Sequence, residues 1–223
     1  MCGRFTLFLD KEQLQLAFPI DHVKTEAKPR YNIAPSTPVA TVARREGKNV
    51  LDVMEWGFLP GWAKEKGMTP MINARAEGIA AKAMFKRSFQ TLRCLIPADG
   101  FYEWQQHAGN QKIPMFIHLK SGEPFGFAGI YTVSKSDDGS PIATCAIITT
   151  TPNELMQAIH NRMPVILPRN AYTDWLDPTK QDVEALAAML QPYPAKEMEA
   201  WEVSRRVNRP ENDAADLIQP VAR

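Results

Sequence analysis

Phe125-Gly126-Phe127-Ala128-Gly129-Ile130-Tyr131 and Ala143-Thr144-Cys145-Ala146-Ile147-Ile148-Thr149 are two apolar runs of strand length, rich in aromatic and β-branched residues. Between them, Thr132–Ile142 carries Ser134, Lys135, Asp138 and Gly139 and no apolar stripe that could pack a crossover helix. Strands joined in this way pair antiparallel, because a parallel pair needs a long crossover. The same kind of run recurs outward at Arg4–Leu9, Val39–Ala43, Leu51–Trp56, Arg93–Ile96, Phe101–Gln105 and Met115–Leu119. Helical patterns are confined to Lys11–Ala17, Ala80–Gln90, Pro152–His160, Ala171–Leu176 and Asp182–Leu190. The reading is α+β: a curved, barrel-like antiparallel β-sheet flanked by short helices. No repeat, low-complexity segment or Gly/Ser linker divides the chain, so residues 1–223 are expected to form a single domain.

Composition removes several function classes. Lys and Arg number 26 against 25 Asp and Glu, a net charge of +1, so any basic surface must come from local clustering. The modest group Lys82, Lys86, Arg87 and Arg93 suits either backbone contact with a nucleic acid or a solvated helix face. Cys2, Cys94 and Cys145 lack metal-type spacing, and an odd count reads as reduced thiols. Neither a metal nor a cofactor is expected. Arg4, Asp10, Lys11 and Glu12 interrupt any leader-like apolar stretch, and no run approaches a membrane span. A soluble cytoplasmic protein is expected.

Four side chains could carry chemistry. Removal of Met1 would make Cys2 the N-terminal residue and place a free α-amine beside its thiol. Their reference pKa values, about 7.7–8.0 and about 8.5, leave both near nucleophilic at neutral pH. Such a 1,2-aminothiol condenses with an aldehyde to a Schiff base and then closes a thiazolidine ring. Glu103, within Gly100-Phe101-Tyr102-Glu103-Trp104, shares a strand face with Phe101, opposite Tyr102 and Trp104. Buried there it would be a desolvated general acid or base; an exposed polar face is the alternative. His160 ends a helix signalled by Thr151-Pro152-Asn153-Glu154, where the helix dipole would favour imidazolium; a surface histidine assisting the cap is the bland reading. In Met71–Glu77 an extended chain would project Asn73, Arg75 and Glu77 to one side, with Asn73 able to hold an amine or hydroxyl and Arg75 a phosphate. Arg4 and Arg162 are further phosphate candidates, with salt bridges as their default role. Two segments, Arg30–Pro35 and Trp56–Trp62, read as surface loops whose aromatics either stack on unpaired bases or pack over the core.

Met1-Cys2-Gly3-Arg4-Phe5, Tyr31-Asn32-Ile33-Ala34-Pro35, Trp56-Gly57-Phe58-Leu59-Pro60, Asn73-Ala74-Arg75-Ala76-Glu77, Gly100-Phe101-Tyr102-Glu103-Trp104 and His160-Asn161-Arg162-Met163-Pro164 together resemble the SRAP family. Its members are SOS-response-associated peptidase-like proteins, also called abasic-site processing proteins. The resemblance implies a fold with a groove for single-stranded DNA and covalent capture of the ring-opened abasic sugar by Cys2. Its catalytic positions fall on Cys2, Asn73, Glu103 and His160, and its DNA-contacting positions on Arg4, Asn32, Trp62, Arg75, Thr149 and Arg162. It further implies lyase-type chemistry, slow reversal, autoproteolytic loss of Met1 and shielding of the lesion during the DNA damage response. Single-stranded DNA with abasic sites is the implied partner of a monomer, nucleoid-associated when bound, with replication-fork proteins as further candidates. A cysteine peptidase using Cys2, His160 and Glu103, or a non-covalent reader of modified single-stranded DNA, are the alternatives.

Overall fold

The computed structural model describes residues 2–26, 28–136 and 138–221. In chain order the strands are β1 (Phe5–Leu7), β2 (His22–Val23), β3 (Arg30–Ile33), β4 (Pro38–Arg45), β5 (Lys48–Trp56), β6 (Asn73–Arg75), β7 (Arg93–Ala98), β8 (Gly100–Gln106), β9 (Lys112–Leu119), β10 (Phe125–Lys135), β11 (Pro141–Thr150), β12 (Met163–Pro164), β13 (Ile166–Leu167) and β14 (Met198–Glu202). The two runs that open the sequence reading are β10 and β11, paired antiparallel from Gly129 opposite Ile147 to Lys135 opposite Pro141. From β11 the pairings pass through β10, β7, β4 and β5 and return to β11, which closes a five-stranded barrel. A second sheet runs in the order β14-β9-β8-β1-β3. The α+β, barrel-like architecture expected from the sequence is therefore present. The pairing is largely antiparallel, with parallel contacts where β11 meets β5 and β6 and where β2 meets β5.

Phe5 joins the two sheets. Its ring meets Trp56 edge-on at 5.2 Å and Phe127 at 5.8 Å, and Phe101 meets Phe127 at 6.0 Å. Buried aromatics of this kind contribute about 3–5 kcal/mol each against alanine, so the start of the chain is anchored two residues after Gly3. The other face of β8 packs Tyr102 with Phe116, Val203, Val207 and Leu217, under the C-terminal segment. At Gly100 the strands approach so closely that a Cβ would lie 2.3 Å from the Phe116 ring.

Several local expectations are corrected. The helix expected over Ala80–Gln90 is only Lys86–Thr91, preceded by separate turns. Phe85 and Phe89 are buried, as is Ile79 just before the expected helix; on one continuous helix Ile79 would stand about 120° round from Phe85, and separate turns bury all three. Pro152–His160 contains a helix only at Glu154–Gln157, capped by Asn153, whose side chain accepts from the Met156 N–H; Pro152 precedes the cap. Arg30–Ile33 is a strand, and Trp56 and Phe58 are core residues, which leaves Trp62, 43% exposed, as the surface aromatic of the two presumed loops. Arg93 is buried, with its guanidinium donating to the carbonyls of Phe89, Trp175 and Lys180, and so is no part of a basic surface. No helix among the described residues is long and apolar enough to cross a membrane.

Candidate active site

Antiparallel pairing of β1 with β8 sets the position of Cys2. Phe5 lies opposite Phe101, Thr6 opposite Gly100, and the Tyr102 N–H donates to the Arg4 carbonyl at 2.9 Å. Continued toward the N-terminus, this register carries the chain past Glu103. Cys2 is fully buried, and its thiol is pushed well above the ordinary range, first by burial and then by the neighbouring Glu103 carboxylate. Met1 lies outside the described residues, as does any question of its removal.

Glu103 is 3% exposed, which decides between the two sequence readings in favour of the buried one. Burial raises its carboxyl to about 7, so it can change protonation state near neutrality. The expected alternation also holds: Phe101 packs into the main core, while Tyr102 and Trp104 belong to the opposite cluster.

His160 faces Glu103 across a cleft of about 400 Å³, lined also by Trp104, Lys112 and Asn208. Bonds among the described residues help to hold the histidine there. Gln105 Nε2 donates to the Ala158 carbonyl at 2.8 Å, tying β8 to the turn before His160. The Arg162 N–H donates to His160 Nδ1 at 3.1 Å, and the Arg162 carbonyl lies 3.3 Å from the same nitrogen. The expected preference for imidazolium is reversed: burial lowers the His160 pKa, and a helix of one turn, Glu154–Gln157, offers little aligned dipole to oppose it. Neutral His160 can therefore both accept and donate a proton.

Asn73 sits on β6 beside Ile147 of β11, 7% exposed. Its Nδ2 makes one long 3.5 Å bond to the Ile147 carbonyl, and its buried Oδ1 has no hydrogen-bond partner among the described residues. An unmet acceptor at such a position costs about 1–3 kcal/mol and is an available hook for an amine or hydroxyl.

The expected DNA contacts divide by environment. Arg75 and Trp62 are exposed. Asn32 is buried: its Oδ1 accepts from Arg4 Nη1 at 2.7 Å and its Nδ2 donates to the Asn212 carbonyl at 2.7 Å. Arg4 also donates to the Val207 carbonyl and lies 5.7 Å from the Trp104 ring centre. Thr149 is buried, and its carbonyl accepts from Arg162 Nη2 at 2.6 Å. Arg162 makes two further bonds to Glu77, at 2.6 and 2.8 Å. Asn32 and Thr149 thus hold arginines in place from below, a role their sequence context did not separate from direct contact. Gln105, Lys112 and Asn208 were not singled out in the sequence. Gln105 shares the strand face of Glu103 by the two-residue period, a signal that was there; Asn208 reaches the cleft only through tertiary packing.

Glu103, whose carboxyl titrates near neutrality, and a neutral His160 line one cleft, with the buried Cys2 next to Glu103, an arrangement suited to proton transfer. A family model described as SOS response associated peptidase (SRAP) matches residues 1–210, and the chain belongs to this family. It is 46% identical over 222 residues to Abasic site processing protein YoqW of Bacillus subtilis (strain 168), covering 98% of this chain and 99% of that one. Abasic site processing protein YedK of Escherichia coli (strain K12) is 34% identical over 230 residues, covering 99% of this chain and 100% of its own. A crystal structure of a protein from Bacteroides thetaiotaomicron superposes with a TM-score of 0.84 at 26% identity, covering 99% of this chain and 100% of that one.

Proposed function

We propose that this chain processes abasic sites in single-stranded DNA by covalent capture through Cys2 after loss of Met1. The observation that carries the reading is Glu103, buried against Cys2 with a carboxyl titrating at about 7 and sharing a cleft with His160. The α-amine of Cys2 attacks C1′ of the ring-opened sugar, with Glu103 accepting an amine proton and His160 exchanging protons with the sugar oxygens. Loss of water gives the imine. The Cys2 sulfur then bonds to C1′ while its proton passes to the imine nitrogen, giving a thiazolidine. The balance is aldehyde plus aminothiol to thiazolidine plus water. Asn73 Oδ1 would hold the amine or a sugar hydroxyl during these steps.

Arg75, Trp62, Arg162 and Arg4 are the proposed contacts to the strand, with Asn32 and Thr149 positioning the last two. An imine that escapes ring closure is open to β-elimination, the lyase outcome, and protonation of the departing groups by Glu103 and His160 would support reversal. A thiolate-dependent peptidase is less well supported, because burial and the Glu103 carboxylate both oppose ionisation of the Cys2 thiol.

The test is an abasic single-stranded oligonucleotide followed by denaturing electrophoresis, with the mass of the N-terminus determined in parallel. The processed wild type should give a denaturation-resistant adduct. Cys2→Ala should give none while still binding the strand. A stable adduct at wild-type level in Cys2→Ala would sink the thiazolidine mechanism.

A further inference from the structure

The cleft that holds Glu103 and His160 has cationic and amide groups that the proposed capture chemistry does not use. Lys112 begins β9 and lines the cleft with Trp104 and Asn208. Its surroundings differ from those of the neighbouring arginines. Arg162 is matched by Glu77 in a two-bond ion pair, and Arg4 is held through Nη1 by Asn32 and the Val207 carbonyl. Lys112 has no ion pair among the described residues, yet it lies close enough to His160 to contribute to the lowering of its pKa. On the other side, Asn208 Oδ1 accepts from Trp104 Nε1 at 2.7 Å, which fixes the amide and leaves its Nδ2 group as a donor. An ammonium and an amide donor border one opening, beside the His160 imidazole and the Glu103 carboxyl. Such a set is complementary to an anion with several acceptor oxygens.

We propose that Lys112 and Asn208 form an anion subsite that takes a phosphodiester flanking the abasic sugar. The inference rests on the abasic-site reading above, and it adds a phosphate contact inside the reactive cleft to the arginines outside it. Holding the adjacent phosphate would fix the sugar against rotation about the backbone, so that C1′ stays before the Cys2 amine. Lys112, which touches no reacting atom, is a binding residue and not a catalytic one.

The experiment measures equilibrium binding of a single-stranded oligonucleotide carrying a stable abasic analogue without an aldehyde, across salt concentrations. Because no covalent chemistry is possible, its result is independent of adduct formation, which the true abasic oligonucleotide tests separately. Lys112→Gln should weaken binding roughly five- to tenfold at low salt, as expected for loss of one charge-assisted contact. It should also flatten the slope of log K against log salt by about 0.7, the counterion release of one phosphate on a single strand. Lys112→Arg, which keeps the charge, should retain the wild-type slope. Replacing both flanking phosphodiesters by neutral methylphosphonates should abolish the difference between the wild type and Lys112→Gln. Equal affinity and slope for Lys112→Gln and wild type would overturn the proposal. So would a Lys112→Gln defect that persists undiminished on the methylphosphonate oligonucleotide.

Discussion

Gln105 Nε2 donates a 2.8 Å hydrogen bond to the carbonyl of Ala158, so the strand that carries Glu103 also holds the turn that carries His160. Glu103 and Gln105 are two residues apart and share a strand face. One side chain therefore ties the position of His160 to that of Glu103.

Gln105→Ala should remove that tie without emptying any core position. A single hydrogen bond at an exposed site contributes about 0.5–1.5 kcal/mol, so the melting temperature should move little. The rate of adduct formation should fall about 10- to 100-fold, since displacement of a reacting group by about 1 Å has costs of that order. Single-turnover kinetics beside a thermal melt separates the two effects. A large drop in melting temperature with an unchanged rate would show that the bond is structural only.

Glu103→Gln should stabilise the protein at alkaline pH while disabling it. The folded carboxyl titrates at about 7 against an ordinary value of 4.5. Between those values the folded state holds a proton that the unfolded chain releases, so stability falls as pH rises through the window and is full below it. The whole shift corresponds to about 3 kcal/mol as an upper bound. Urea denaturation should find the variant more stable than wild type at pH 8 and the difference gone near pH 4.5. The kinetic deficit should be largest above pH 7, where wild-type Glu103 is ionised and able to act as a base. A pH-independent stability difference would argue against a raised carboxyl.

Glu77→Gln should tighten binding of single-stranded DNA. In the free protein the Glu77 carboxylate takes two bonds from Arg162, which also hold its own pKa below the ordinary range. Removing that charge leaves the Arg162 guanidinium anchored to the Thr149 carbonyl and free to neutralise a phosphate. Affinity at low salt should rise about two- to fivefold, with the salt slope steeper by about 0.7. Weaker binding would instead mean that the ion pair is needed to shape the groove.

Gly100→Ala should be poorly tolerated. Its Cβ would lie 2.3 Å from the Phe116 ring and 3.0 Å from the Ile117 carbonyl, so β8 and β9 must separate or the ring must move. Overpacking of this kind costs about 1–3 kcal/mol. Because Gly100 opens the strand that presents Glu103, adduct formation should fall together with the denaturation midpoint. Phe116→Leu introduced with Gly100→Ala should recover part of both; no recovery would place the strain elsewhere.

The sequence by itself determined the barrel-like α+β class and most of its long strands, because turn residues and period-two runs are local signals that tertiary packing reinforced. It also singled out Cys2, Asn73, Glu103 and His160, since an N-terminal aminothiol, a carboxylate among aromatics and a histidine after a helix cap are each visible within a few residues. Local pattern could not decide Glu103's burial, because alternation assigns a face but not what covers it. Nor could it separate Asn32 and Thr149, buried beneath Arg4 and Arg162, from the exposed Arg75. The helices came out shorter than their periodicity suggested, as at Ile79 and Phe85, where burying both side chains outweighed the propensity of the intervening alanines. Charge behaved the same way: a net charge of +1 says nothing about where cations stand unpaired. Only the fold, by matching Arg162 to Glu77 and burying Arg93 among carbonyls, leaves Lys112 at the cleft with no ion pair among the described residues.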